Sequence, residues 1–237
     1  MSWLHALWLR GCQVCDQRSR VAIAGPGGFA GAGVLAGEVG QMATAGGRTR
    51  VYLARHGQTA LNESGVLRGL LDPPLDETGL RQAALLAKAL GARQPSLVVA
   101  SPLLRARQTA QPVAGYASLP VATDDLLVDR DYGPWAGTPR QDVIDRWGSV
   151  DAAPGVEARS AVRARAIDGL TGIAQRHAAA TVVAVSHDAV NREVLAALDP
   201  GLGDPDTLPQ DNGCFNTLEW APGGWTVLAI NELPADG

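Results

Sequence analysis

Three cysteines in 237 residues are too few, and odd in number, for a disulfide framework. That shortage fits a reducing compartment, and a cytoplasmic location is expected. No apolar run approaches the roughly eighteen residues that a membrane span needs, so no membrane partner is expected. Excess positive charge is missing too: the formal net charge is −4, which argues against a dedicated nucleic-acid binder with its basic face. Cys12 and Cys15 form "CQVC", half of a metal site, but no second pair follows and Cys214 stands far away. A tetrahedral zinc site is therefore not expected.

What is present describes an ordinary globular protein, with 46% apolar and 19% charged residues. The length suits one large domain or two small ones. Nine of the 28 glycines fall between Gly25 and Gly47, without helical or alternating apolar periodicity. Residues 1–49 therefore read as a flexible or disordered extension, and residues 50–237 as the folded domain. The stretch "VAIAGPGGFAGAGVLAG" after Arg18 and Arg20, followed by "ATA", loosely resembles an export signal. Its glycines and Glu38 weigh against that reading. Met42, the one methionine besides Met1, offers another explanation: translation beginning just ahead of the domain.

From residue 50 strands alternate with helices. "RVYLA" is a short strand, and "DETGLRQAALLAKALGA" a helix capped by Thr78, with Leu80, Ala84, Leu85 and Leu90 at helical spacing, ending at Gly91. "SLVVAS" is a second strand, after which Pro102 opens the helix "LLRARQTAQPVA" in its first turn. "LPVATDD" gives a short third strand, and a Gly- and Pro-rich loop covers 129–140. Helices are expected near 140–147 and 156–178. "TVVAVSH" is a continuous apolar strand leading into the helix "DAVNREVLAALD". "CFNTLEW" and "WTVLAINE" close the chain as a hairpin. This alternation predicts an α/β fold with a mostly parallel sheet.

Ligands of such sheets bind at the carboxyl ends of the parallel strands. Those ends carry Arg55 and His56 from "VYLARHGQTALN", Arg105 after the second strand, and His187 after the last parallel one. Two arginines and two histidines converging there form a pocket for a many-oxygened anion, because guanidinium groups match phosphate by bidentate hydrogen bonding. Thr59 and Asn62 could add neutral donors, and the helix after His187 would aim its amide end inward.

"RHGQT" at 55–59, "SPLLRARQTA" at 101–110 and "VSHDAVNR" at 185–192 resemble the histidine phosphatase superfamily, the phosphoglycerate mutase-like family, from about residue 50 to the end. The resemblance implies a three-layer α/β/α sandwich and a phosphomonoesterase that hydrolyses a small phosphorylated metabolite through a phosphohistidine on His56. It implies that Arg55, Asn62, Arg105 and His187 hold the phosphoryl group and that Arg68 touches the substrate. No metal and no cofactor are implied. The family's acid is a glutamate ahead of a "YG" pair. Asp129 of "LLVDRDYGPWAG" stands there, one methylene shorter. Asp131 and Asp188 are the other candidates for the acid, although Asp188 also suits a helix N-cap.

Blander roles are expected elsewhere. His5 and His177 read as structural histidines, Arg107 as a surface cation, and Arg159, Arg163 and Arg165 as a solvated helix face. Trp135 and Trp147 read as packing residues. Gly57 and Gly69 read as serving backbone conformation or close approach. Two other functions compete: a cofactor-dependent phosphoglycerate mutase, and a non-catalytic phospho-ligand-binding module. Only 57 residues separate Asp129 from His187, an interval too compact for the mutases' long insertion. The loops at 63–75 and 130–160 that would set specificity follow no legible pattern, and the oligomeric state, a homodimer included, is open.

Overall fold

The computed structural model describes residues 47–235. The glycine-rich extension, with its export-like stretch, the "CQVC" pair, His5 and Met42, lies outside the described residues except for residues 47–49. Thr49 already belongs to the first strand, one residue ahead of the expected boundary.

In chain order the elements are β1 (Thr49–Arg55), α1 (Ala60–Glu63), α2 (Glu77–Gly91), β2 (Leu97–Ala100), α3 (Leu104–Tyr116) and β3 (Val121–Thr123). They continue with α4 (Arg140–Trp147), α5 (Arg159–Arg176), β4 (Thr181–Ser186), α6 (Asp188–Leu198), β5 (Phe215–Ala221) and β6 (Gly224–Glu232). The sheet order is β3-β2-β4-β1-β5-β6. The first four strands in that order run parallel, and β5 and β6 are antiparallel. The fold is thus the mixed α/β sheet that the alternation predicts.

Side-chain period 2 makes the layers. Val51, Leu53, Val99, Val182 and Ala184 face one side and pack on Val162, Ala166, Leu170 and Ile173 of α5 and on Val190, Val194 and Leu195 of α6. Tyr52, Ala54, Val98, Ala100, Val183 and Val185 face the other and pack on Leu86, Ala87 and Leu90 of α2 and on Ala106, Ala110, Val113 and Ala114 of α3. Burial on both faces explains why "TVVAVS" reads as an unbroken apolar run. Among the described residues no helix is long and apolar enough to cross a membrane.

Two helix starts differ from expectation. The cap of α2 is Asp76, whose carboxylate accepts from the Gly79 amide at 2.8 Å, and not Thr78. With the start set there, the buried stripe runs through Gly79, Ala83, Leu86, Ala87 and Leu90, and Leu80 points to solvent. Pro102 precedes α3 instead of lying in its first turn. The Leu104 amide is capped from a distant loop by the Asp72 carboxylate at 2.6 Å.

A third apolar cluster stands apart from the sheet. Leu67, Tyr132, Val143, Val150 and Ala153 pack together with Trp135 and Trp147, whose rings meet edge-on at 5.8 Å. Backbone bonds between Leu67 and both Gly137 and Thr138 tie the 65–69 segment to the 133–140 segment. The two tryptophans are packing residues, as expected.

Candidate active site

The register of the two central strands brings the site together. Arg55 pairs with Ser186 across β1 and β4, so His56 and His187 leave adjacent strand ends side by side. Their ring centroids lie 5.2 Å apart, and both side chains are fully buried. Arg105, in the first turn of α3, is equally buried.

Hydrogen bonds define the state of His56. Its Nδ1 lies 2.7 Å from the Gly57 carbonyl oxygen, an acceptor only, so Nδ1 carries the proton. The lone pair is then on Nε2, where the Arg105 Nε–H donates at 3.3 Å. Burial, reinforced by His187, Arg105 and Arg55, holds His56 well below the ordinary imidazole range and so keeps it neutral. Burial and the field of Arg105, Arg68, Arg165 and Arg55 do the same to His187. His187 Nε2 meets the Ser101 hydroxyl at 2.8 Å, and its Nδ1 is buried without a hydrogen-bond partner.

Arg105 is the hub. Its Nη2 donates to Asp129 Oδ2 at 2.8 Å and to the Gly69 carbonyl at 2.9 Å, and its Nη1 to the Leu71 carbonyl at 2.6 Å. Asp129 is nearly buried, with Oδ2 3.8 Å from His187 Nδ1 and Oδ1 accepting from the Arg130 amide. The structure therefore brings Arg55, His56, Arg105, Asp129 and His187 together. Arg55 donates to the Gln210 carbonyl through Nη1 and keeps a buried, unpartnered Nε. Arg68 is half-buried, its Nε buried and unpartnered, and its charge bears on Arg55, Arg105 and His187. Asn62 closes a capping box with Thr59, whose amide and hydroxyl both donate to Asn62 Oδ1.

The rival carboxylates are engaged elsewhere. Asp131 accepts from the Gly133 amide in a local turn at 2.7 Å. Asp188 is not the cap of α6: it is the first helical residue, His187 holds the cap position, and the Asp188 carboxylate pairs with Arg192 one turn on.

The arginines of α5 are not a solvated face. Arg165 donates to the carbonyls of Leu126, Val128 and Asp129 at 2.7–3.1 Å and pairs with Glu157 at 2.8 Å. Arg159 pairs with Asp151, Glu193 and Asp206, and Arg163 with Glu193. Gly57 serves close approach to the protein rather than to a ligand, since a Cβ there would lie 2.5 Å from the Gly79 carbonyl oxygen. Gly69 has φ +51°, the left-handed conformation that glycine tolerates.

Sequence reasoning missed several supporting residues. Thr109 accepts from the Gly57 amide and donates to the Arg105 carbonyl, bracing the loop after His56 against the helix that carries Arg105. Ser101 and Thr109 both stand in "SPLLRARQTA", where the signal was available. Gln210, bonded to Asn191 and Asn216 behind Arg55, comes from a loop without any pattern.

A surplus of cations around one carboxylate, with a neutral imidazole lone pair among them, suits attack on phosphorus in a bound phosphate. Comparison with known proteins agrees. The family model described as "Histidine phosphatase superfamily (branch 1)" matches residues 51–233. The chain is 30% identical over 183 residues to the "Uncharacterized phosphatase PhoE" of Bacillus subtilis, covering 77% of this chain and 94% of that protein. It is 33% identical over 159 residues to "Phosphoserine phosphatase 1" of Hydrogenobacter thermophilus, covering 63% of this chain and 75% of that one. The solved mycobacterial glucosyl-3-phosphoglycerate phosphatase Rv2419c superposes with a TM-score of 0.68 at 27% identity, covering 78% of this chain and 99% of that chain.

Proposed function

The chain belongs to the histidine phosphatase superfamily, branch 1, and from that premise we propose that His56 is the nucleophile of a phosphomonoester hydrolase acting on a small phosphorylated metabolite. The observation that carries the reading is the fixed tautomer of His56. Nδ1 is committed to the Gly57 carbonyl and Nε2 faces Arg105, which leaves a neutral lone pair aimed into the cationic pocket.

In the first half-reaction Nε2 forms a bond to phosphorus in line with the ester P–O bond, which breaks. Arg55, Arg105 and His187 Nδ1 hold the equatorial oxygens, and Asn62 and Arg68 add donors from the rim. Asp129, acting as general acid, passes a proton to the leaving alkoxide. In the second half-reaction Asp129 takes a proton from water as the water oxygen bonds phosphorus. The P–N bond then breaks, releasing inorganic phosphate and returning neutral His56. Atoms and protons balance without any metal or redox partner.

The test is turnover of p-nitrophenyl phosphate by the full chain and by His56→Ala, with rapid-quench capture of the phosphoenzyme. The reading expects an acid-labile, base-stable phosphohistidine in the parent chain alone. Turnover that survives in His56→Ala would overturn it.

A further inference from the structure

Both site histidines are held neutral, so each ring carries one proton, and the place of that proton decides what the ring can do. On His56 the Gly57 carbonyl keeps it on Nδ1 and leaves the lone pair on Nε2. His187 has a different partner: its Nε2 lies 2.8 Å from the Ser101 hydroxyl, a group that can either donate or accept. What surrounds Ser101 decides between the two.

Ser101 follows β2 directly, as His187 follows β4, and these strands are parallel neighbours with Ala100 paired to Val185. The Ser101 amide extends the ladder by donating to the Val185 carbonyl at 2.9 Å, which fixes the backbone beneath the hydroxyl. Both side chains are fully buried. Pro102 has no amide hydrogen, and the Leu103 amide reaches Ser101 Oγ at 3.4 Å as a donor. Among the described residues the hydroxyl meets no acceptor other than His187 Nε2.

With the proton on Nε2, two buried groups would be left wanting. The hydroxyl hydrogen would have no acceptor, and a bare Nδ1 lone pair would stand 3.8 Å from Asp129 Oδ2. With the proton on Nδ1, the hydroxyl donates to Nε2, and an N–H faces the carboxylate and the phosphoryl position. The one group then without a partner is that N–H.

We propose that Ser101 is a positioning residue that fixes the proton of His187 on Nδ1 and so makes a neutral imidazole a hydrogen-bond donor to the phosphoryl group. This rests on the phosphatase reading for the place of that group. The unpartnered Nδ1–H is the donor kept for a phosphoryl oxygen. The two neighbouring rings hold the same tautomer for opposite uses: a carbonyl behind His56 makes a nucleophile, and a hydroxyl behind His187 makes a donor.

The test reads the proton directly. Long-range 1H–15N spectra of the full chain, labelled with 15N in its histidine rings, separate protonated from bare ring nitrogens. His187→Gln assigns the His187 signals among the four histidines. The resting parent is expected to show His187 with Nδ1 protonated and Nε2 bare. Ser101→Ala, which removes only a hydroxyl, should move His187 towards the Nε2-protonated form and leave His56 as it was. It should also lower kcat on p-nitrophenyl phosphate by about ten- to a hundredfold, at or below the loss of a whole oxyanion donor. Ser101→Thr keeps the hydroxyl and should recover the Nδ1 proton and the rate together. Nε2 protonated in the resting parent, an unchanged His187 tautomer in Ser101→Ala, or full kcat despite a changed tautomer would each overturn the proposal. Absence of turnover in the parent would count against the phosphatase reading, and the spectra of the resting chain would still decide where Ser101 places the proton.

Discussion

The Arg105 Nε–H points at the lone pair of His56 Nε2 from 3.3 Å, while the rest of the same guanidinium holds Asp129 and the Gly69 and Leu71 carbonyls. One side chain thus engages His56 Nε2, the Asp129 carboxylate and the loop behind Arg68. In the proposed mechanism a phosphate oxygen replaces the nitrogen lone pair as the partner of that N–H. Arg105→Ala is expected to lower kcat on the order of 10²–10³-fold, the scale of losing one oxyanion donor. It also leaves Asp129 buried without its cation, so a fall in Tm should accompany it. Arg105→Lys restores charge but not the planar fork, and should recover Tm better than kcat. Steady-state kinetics beside thermal melts on both variants checks this. Recovery of full kcat by lysine would show that the fork does not matter.

Keeping both site histidines neutral makes stability depend on pH. In the unfolded chain each has an ordinary pKa of about 6.5. In the fold both are held well below that by burial and neighbouring cations. Above about pH 6.5 neither state binds the protons and the histidines contribute no pH slope. As pH falls below about 6.5 the unfolded chain takes up protons that the native site refuses, so stability declines until the folded-state values are reached. Each histidine adds a slope of about 1.4 kcal/mol per pH unit in that window. Urea midpoints measured from pH 8 to pH 5 in phosphate-free buffer should fall, and His187→Gln should flatten the fall. A flat profile would mean that the rings accept protons inside the fold.

Gly57 abuts the start of α2 so closely that backbone, not a flexible side chain, meets any added atom. Gly57→Ala is expected to cost about 1–3 kcal/mol of stability through overpacking. It should also lower kcat, because the Gly57 carbonyl that fixes His56 Nδ1 must move with the clash. Gly65 supplies the contrast: its surroundings are open but its φ is +65°, so Gly65→Ala meets only backbone strain. Chemical denaturation of the two variants should place Gly57→Ala as the more damaging.

Most of this site could be read from the chain because its chemistry sits at strand ends. Arg55 and His56 terminate one unbroken apolar strand and His187 follows another, and the parallel sheet leaves those two ends adjacent. The helical phase of α2 was less legible. Asp76 and Thr78 are both good caps, and in the fold Asp76 takes the position while Gly79 packs against the Gln58 backbone. Asp188 misled for a related reason: its type suits a cap, but His187 closes the strand one residue earlier and takes that position. The arginines of α5 read as a solvated face because their partners Glu157, Glu193 and Asp206 lie on other elements with no local spacing to announce them. Long-range ion pairs leave no periodic trace.

Arg165 and Asp129 form the last testable unit. Arg165 clamps the carbonyls of Leu126, Val128 and Asp129 and is itself held by Glu157, so it is a positioning residue for the proposed acid. Asp129→Asn removes the proton donor. An alkyl phosphate, whose alkoxide needs that proton, should lose on the order of 10²–10⁴-fold in kcat. p-Nitrophenyl phosphate, whose phenolate leaves without help, should lose far less. If Arg165 acts through Asp129, Arg165→Met should reproduce this leaving-group split in smaller measure, whereas general loosening of α5 would slow both substrates alike. Arg165→Lys should recover part of the alkyl rate, because one ammonium can still bond a carbonyl or two. Parallel losses on the two substrates in Asp129→Asn would remove Asp129 from the acid role, and the same pattern in Arg165→Met would reduce Arg165 to a structural residue.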